Sequence, residues 1–275
     1  MSDYETPYQP SPMLKDLKSV IYEKQDHIAY ITMNRPESSN AYDSQMRLDM
    51  RACWLDVKLD PNIWVAIITG KGRAFCAGRD VKELAKYQAQ GIRTPTNDPT
   101  SPSYDVRGEP DSVNLTKPVI AALNGFAVGG GLHMVMQCDL RVMAEDAWIG
   151  DLHTNIGQLG APVLLYQAMP RVTAAYITFC NGRLSAQECL QWGIVNKVVP
   201  GAQLMDAANE LAEMICRSSP VAVRAAKQLY NLARKLDPAL TDLQNSLDKT
   251  CRESEDGAEG PLAFAEKRRP AWKNR

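Results

Sequence analysis

Long apolar runs are missing from this 275-residue sequence. The most continuous ones, Ile63 to Ile68 and Val119 to Leu123, fall far short of the roughly 18 residues that a membrane span needs, which excludes a helical membrane protein. Charge imbalance is missing too. With 31 Lys and Arg against 32 Asp and Glu, no global field draws nucleic acid or a membrane surface, so a charged ligand is met locally. Paired cysteines are absent: Cys53, Cys76, Cys138, Cys180, Cys189, Cys216 and Cys251 stand singly, in an odd total. That is the usage of a reducing compartment, in which they pack as small core residues. Histidine is scarce, three in the chain, and its spacing builds no metal-ligand set. The N-terminus lacks the basic start and apolar stretch of a secretory signal. The expectation is a cytoplasmic protein with a flexible tail over residues 1–15.

What is present suffices for a sizeable core: 45% of residues are hydrophobic and 23% charged, fitting one domain with a small appendage. Val20 to Glu23 and Ile28 to Met33 form a hairpin pattern around the polar turn Lys24 to His27. Ser44 to Lys58 has helical spacing and precedes the strand-like Ile63 to Thr69. Pro118 to Leu123 is a second buried strand, followed by an Asn124-Gly125 turn and a glycine-led helix, Gly129 to Cys138. Leu140 to Ala144 and Ile194 to Val199 add strands, with helices around Val163 to Met169, Thr173 to Phe179 and Ser185 to Gln191. This is α/β layering. After Pro200 the pattern is helical, over Ala202 to Cys216, Val221 to Leu236 and Pro238 to Cys251, so a core over 16–200 gives way to a helical region over 201–275. Gly91 to Ser112 is rich in Pro, Thr, Asp, Ser and Gly, a loop that either covers a site or decorates the surface.

Two glycine-bearing runs carry the chemistry. Gly70-Lys71-Gly72-Arg73-Ala74-Phe75-Cys76-Ala77-Gly78-Arg79-Asp80 leaves a buried strand and enters a helix at Val81 to Tyr87, with Asp80 suited to cap it. Asn124-Gly125-Phe126-Ala127-Val128-Gly129-Gly130-Gly131-Leu132-His133 repeats the strand-to-helix passage. Amides at such turns point outward unpaired, so the N–H groups of Arg79 and Gly130 suit an anion. Either run alone serves equally as a packing device or a phosphate cradle, but neither has P-loop or dinucleotide spacing.

Both runs, in this order, resemble the signature segments of the crotonase, or enoyl-CoA hydratase/isomerase, superfamily. The likeness continues through Asn34-Arg35-Pro36 with Asn40-Ala41, Lys117 to Leu123, Cys138-Asp139, Gly182 to Ala186, Gly193 to Asn196 and Ala263 to Arg268, covering nearly the whole chain. The resemblance implies a spiral of ββα units with a C-terminal helical trimerisation region, assembled as a homotrimer or dimer of trimers. It also implies an acyl-CoA substrate, with no cofactor beyond the coenzyme A that the substrate carries, and neither nucleic acid nor membrane as partner. By motif position, the amides of Arg79 and Gly130 form an oxyanion hole for the thioester oxygen. Ala77, Lys82, Phe264 and Lys267 fall where relatives hold coenzyme A, the lysines suited to phosphate and the aromatic face to adenine.

The sequence departs from its relatives at the centre of the chemistry. Typical hydratases carry two glutamates, and here His133 and His153 stand at those positions. Two of three histidines on the two catalytic positions point to proton transfer, although a lone buried histidine also serves as a structural hydrogen-bonding residue. Asp151 is either a partner to His153 or a solvated turn residue. The expectation is a lyase or hydratase-like enzyme in which His133 and His153 move protons; the alternatives are a hydrolase of C–C bonds in β-dicarbonyl or cyclic β-ketoacyl-CoA substrates and a non-catalytic acyl-CoA binder. Tyr42, Tyr87, Trp148 and Tyr166 are candidate pocket walls for a bulky acyl group.

Overall fold

The computed structural model describes residues 8–83, 86, 108–234 and 237–274. Most of the Gly91 to Ser112 loop, Tyr87, and part of the helix entered at Val81 lie outside them. The chain opens with a hairpin, β1 (Val20–Gln25) and β2 (Ile28–Met33), whose turn has Asp26 at φ 53°. Helix α1 (Ser44–Leu59) follows, capped by the Asp43 carboxylate, which accepts from Met46 N at 2.9 Å; such a cap contributes about 1 kcal/mol. Strands β3 (Val65–Gly70), β4 (Ala74–Cys76), β5 (Val119–Leu123) and β6 (Phe126–Val128) precede helix α2 (Gly130–Gln137). Strands β7 (Leu140–Ala144) and β8 (Trp148–Gly150) lead to α3 (Pro162–Ala168) and α4 (Arg171–Phe179); β9 (Arg183–Ser185), α5 (Ala186–Gln191) and β10 (Lys197–Val199) complete the layered part. Four helices end the chain: α6 (Leu204–Cys216), α7 (Pro220–Ala233), α8 (Pro238–Glu253) and α9 (Glu255–Ala265).

The strands form a six-stranded sheet, β1-β2-β3-β5-β7-β10, and a four-stranded one, β4-β6-β8-β9. Within the first, every pairing after the hairpin is parallel. Strands β3 and β5 are buried on both faces, which is why they read as unbroken apolar runs. Met46, Met50, Trp54 and Val57 of α1 join the core on one side, and Ala207, Ala208 and Ala212 of α6 pack with Ile28, Val65, Ile67 and Ile120 on the other. No helix among the described residues is long and apolar enough to cross a membrane.

Three strands of the first sheet are each followed by a three-residue strand of the second, as β3–β4, β5–β6 and β7–β8. The short strands β4, β6 and β8 run parallel, with Cys76 beside Ala127 and Val128 beside Gly150. Their carboxyl ends therefore open at one edge, and the residues that follow, Ala77 to Arg79, Gly129-Gly130 and Asp151 to His153, come together there. This is the ββα repetition that the family resemblance implies, with the C-terminal helices in place. Two expectations are corrected: of Ile194 to Val199 only Lys197–Val199 is strand, and an additional terminal helix, α9, is present.

Candidate active site

The first run is held to the second by side-chain ties. Asn124 accepts from Gly70 N at 3.0 Å and donates to Gly72 O and Ala74 O at 2.8 and 3.1 Å. Asn40 donates to Lys71 O and Ala74 O at 3.0 and 2.8 Å, which gives the Asn40-Ala41 motif its purpose. Gly78 has φ 85°, a region that only glycine enters freely, and a Cβ on it would lie 3.0 Å from Val128 O and 3.1 Å from Gly130 N. The two runs thus touch at the residues beside the two candidate amides. Around Arg79, Tyr42 N donates to Gly78 O at 2.9 Å and Asp80 N to Tyr42 O at 3.1 Å, forming a single parallel bridge. Asp80 caps the next turn as expected, accepting from Lys82 N at 3.0 Å.

Gly130 is the first residue of α2, so its amide has no intrahelical acceptor. It donates to none among the described residues. A Cβ on Gly131 would lie 2.3 Å from Cys76 O, so α2 can start this close to β4 only with glycine there.

His133 lies one turn into α2, and its ring stacks on that of His153 with centroids 4.9 Å apart and planes 13° from parallel. Asp151 is 1% exposed, and its Oδ1 is hydrogen-bonded to Nδ1 of His153. The His153 ring fits between two glycines. A Cβ on Gly160 would lie 2.6 Å from Nδ1, and one on Gly129 would lie 3.5 Å from Cε1 and 3.8 Å from Nε2, so the Cε1–Nε2 edge of the ring faces Gly129.

Burial, joined by the charge of His153 and opposed by Asp151, pushes the His133 pKa down to about 4, leaving a neutral ring at pH 7. For Asp151 burial acts upward but is outweighed by the His153 hydrogen bond and the charges of both histidines, so the carboxyl stays below its usual value. An ionised Asp151 only accepts, so Nδ1 of His153 donates the hydrogen and Nε2 is left for a substrate. Buried Nε2 of His133 and Oδ2 of Asp151 have no hydrogen-bond partner among the described residues.

Those three side chains also bring ligand atoms within 4.8 Å of one another, close enough to suggest a metal. The ring geometry opposes a shared ion. A metal bonds a histidine in its ring plane, and near-parallel stacked planes cannot both contain one ion unless a ring turns. The arrangement fits proton sharing better.

The structure thus gathers Arg79, Gly130, His133, Asp151 and His153 at one edge, and Asp151 is a bonded partner of His153, not a solvated turn residue. Of the expected coenzyme A residues, Ala77 lies at the same edge, directly after β4. Ala77 N donates to Ser39 O at 3.0 Å, and Lys82, Phe264 and Lys267 are exposed, without hydrogen bonds or ion pairs to the cluster among the described residues. Helix α9, which bears Phe264, does pack on the turn after His153, because a Cβ on Gly260 would lie 2.3 Å from the Ile156 carbonyl carbon. Of the candidate pocket walls, Tyr166 is exposed, and Trp148 stacks on Phe126 at 5.3 Å with the Arg183 guanidinium 4.1 Å above its ring. Tyr42 reaches the site, its phenol beside Gly130, and Tyr87 lies outside the described residues. Gly129 and Gly160 flank His153 in a way that spacing along the chain did not signal.

Residues 23–275 match the enoyl-CoA hydratase/isomerase family. The chain is 34% identical over 261 residues to (E)-benzylidenesuccinyl-CoA hydratase of Thauera aromatica, spanning 92% of this chain and 98% of that one. It is 37% identical over 257 residues to carnitinyl-CoA dehydratase of Escherichia coli K12, spanning 90% and 95%. The crystal structure of carnitinyl-CoA hydratase from Mycobacterium avium superposes with a TM-score of 0.82 at 31% identity, covering 94% of this chain and 99% of that one. With two sheets wound in ββα steps and a match that runs almost from end to end, this protein belongs to the enoyl-CoA hydratase/isomerase family and is an enzyme of the crotonase type.

Proposed function

We propose that the protein catalyses reversible addition of water to the double bond of an enoyl-CoA thioester, with a hydrogen-bonded Asp151–His153 pair and a neutral His133 in place of two glutamates. One observation carries this reading: His153 is bonded to Asp151 through Nδ1, stacked on His133, and has its Cε1–Nε2 edge beside Gly129, the residue before Gly130. The names of the two relatives, a hydratase and a dehydratase, support the same reaction class.

In the hydration direction the thioester oxygen accepts from the N–H groups of Arg79 and Gly130, which polarises the conjugated double bond. His153 Nε2 takes a proton from water as its oxygen attacks C3, and the electron pair of the double bond moves onto the thioester oxygen as an enolate. The imidazolium, held by the Asp151 carboxylate, returns that proton to C2. Water is added and the enzyme is unchanged. His133 stays neutral and offers a ring nitrogen to hold the attacking water. General acid–base groups of this kind contribute ~10²- to 10⁴-fold each. Coenzyme A lies, on this reading, against the backbone at Ala77 and the ammonium of Lys82, with Phe264 and Lys267 contributed from the C-terminal region. The exposed apolar residues Val221, Leu229 and Leu243 of α7 and α8 support assembly as a homotrimer or a dimer of trimers.

The test is mass analysis of products from a panel of enoyl-CoA and β-ketoacyl-CoA thioesters. Gain of one water on an enoyl-CoA, lost in His153→Ala, is the expected result. Chain cleavage or ring opening of a β-ketoacyl-CoA would assign the same residues to C–C hydrolysis, and binding with no turnover of any thioester would leave an acyl-CoA binder.

A further inference from the structure

The phenol of Tyr42 occupies the space that a side chain on Gly130 would fill. A Cβ on Gly130 would lie 1.6 Å from Oη of Tyr42 and 2.7 Å from its Cζ. In a helix both the N–H and the Cα–Cβ bonds point toward the N-terminus, so the hydroxyl lies on the side of Gly130 from which its amide emerges. Its position is fixed from two directions. The Tyr42 backbone is bonded to Gly78 and Asp80, the two neighbours of Arg79, and the Arg47 guanidinium stacks on the ring 4.7 Å from its centroid. The side chain is nearly buried, and Oη makes no hydrogen bond among the described residues. Burial, followed by the charge of Glu109, raises the phenol pKa well above its usual value, so the hydroxyl keeps its proton and remains a donor.

We propose that the Tyr42 hydroxyl is a third donor to the thioester oxygen, beside the Arg79 and Gly130 amides. The inference rests on the oxyanion-hole reading above and adds a side chain to it. The phenol hydrogen-bonds to the oxygen as charge accumulates there and transfers no proton, so the balance of the hydration step is unaltered. The rival acceptor is Glu109, which borders the same small cavity as Tyr42.

The experiment compares the wild-type enzyme with Tyr42→Phe, a variant that removes one oxygen and retains the ring under Arg47. Cinnamoyl-CoA labelled with carbon-13 at the thioester carbonyl is bound to each, and the carbonyl stretch is read by difference infrared spectroscopy alongside kcat and KM on the best enoyl-CoA of the panel. The expected result is a lowered carbonyl frequency in wild type, a smaller lowering in Tyr42→Phe, and a fall of about 10²-fold in kcat with KM little changed, as when one oxyanion donor is deleted. A wild-type shift retained in full by Tyr42→Phe would overturn the role of the phenol and leave the two amides standing. No shift in wild type would overturn the oxyanion hole itself, and Tyr42 with it.

Discussion

Asp56 and Asp151 are both buried carboxylates, 2% and 1% exposed, and their surroundings differ in one respect. Asp56 accepts from the Tyr8 hydroxyl through Oδ1 and from the Tyr22 hydroxyl at 2.7 Å through Oδ2, which also lies 2.5 Å from Nζ of Lys24. Nearby Asp60 takes the same ammonium at 2.8 Å and Asn62 N at 2.9 Å, and its carbonyl accepts from Lys117 at 2.5 Å. Every charged atom named there has a partner. Around Asp151, by contrast, one carboxylate oxygen and one imidazole nitrogen of His133 are buried with none among the described residues. A structural cluster closes its own hydrogen bonds because an orphan costs stability. A reactive one keeps open the atoms that a substrate will use, at some expense in stability.

The comparison is broken most directly at His153. Replacing it with asparagine, whose amide can keep donating to the buried Asp151 carboxylate but cannot take up a proton, should lower kcat by ~10³-fold and leave the urea midpoint near that of wild type. Equal losses of activity and stability would mean that the open cluster is structural after all. Asp56→Ala should do the reverse. It leaves the Tyr8 and Tyr22 hydroxyls without their acceptor and Lys24 with Asp60 as its remaining carboxylate, a loss of about 2 kcal/mol, read as a lowered urea midpoint, while kcat on the folded fraction is unchanged. A fall in kcat would connect two clusters that the fold holds apart.

The same contrast governs what the sequence disclosed. Strands β3 and β5 were legible because burial on both faces writes a continuous apolar run, and the glycines of the two motifs were legible because backbone approach leaves no other residue possible. All four strands of the second sheet escaped notice. Each is three residues long, too short for alternation to show, and exists because its neighbours pair with it. Helix α9 was hidden by Gly257, Gly260 and Pro261, which lower helix propensity; the glycines serve contact instead, since a Cβ on Gly260 or Gly257 would strike Ile156 or the carbonyl of Cys251. At the site, Asp151 and His153 were readable as near neighbours in the chain. The stack of His133 on His153 and the approach of Tyr42 to Gly130 depend on parallel register between β4, β6 and β8, which no local pattern encodes.

Gly160 tests how far the open cluster depends on its frame. At φ 70°, with the site of a Cβ only 2.6 Å from Nδ1 of His153, Gly160→Ala strains the backbone and pushes the ring off Asp151. The expected loss is about 10²-fold in kcat, comparable to misplacing a positioned catalytic group, with KM altered far less. Retention of full kcat would show that the Asp151 contact does not set the position of the base.

The smallest effect is the most discriminating, because the two clusters titrate in opposite senses across one pH window. His133 falls from the ordinary value of 6.5 to about 4 when folded, mainly through burial. Between those values the unfolded chain takes up a proton that the folded one refuses, so the stability His133 contributes above pH 6.5 is lost as pH falls toward 4. Asp56, raised by burial and by Asp60 from 3.8 to about 6, does the opposite: the folded state binds its proton first, so stability is gained as pH falls through 6. Urea titrations of His133→Leu and Asp56→Asn, each taken as the difference from wild type at every pH, should therefore diverge. The first variant gains on wild type by about 2 kcal/mol from neutrality to pH 4, after allowance for the part-exposed ring, and the second loses ground over the same range. Parallel slopes would mean that the unpartnered nitrogen of His133 is as well satisfied as any atom around Asp56, and the distinction between a closed cluster and an open one would fail at the residue where it is sharpest.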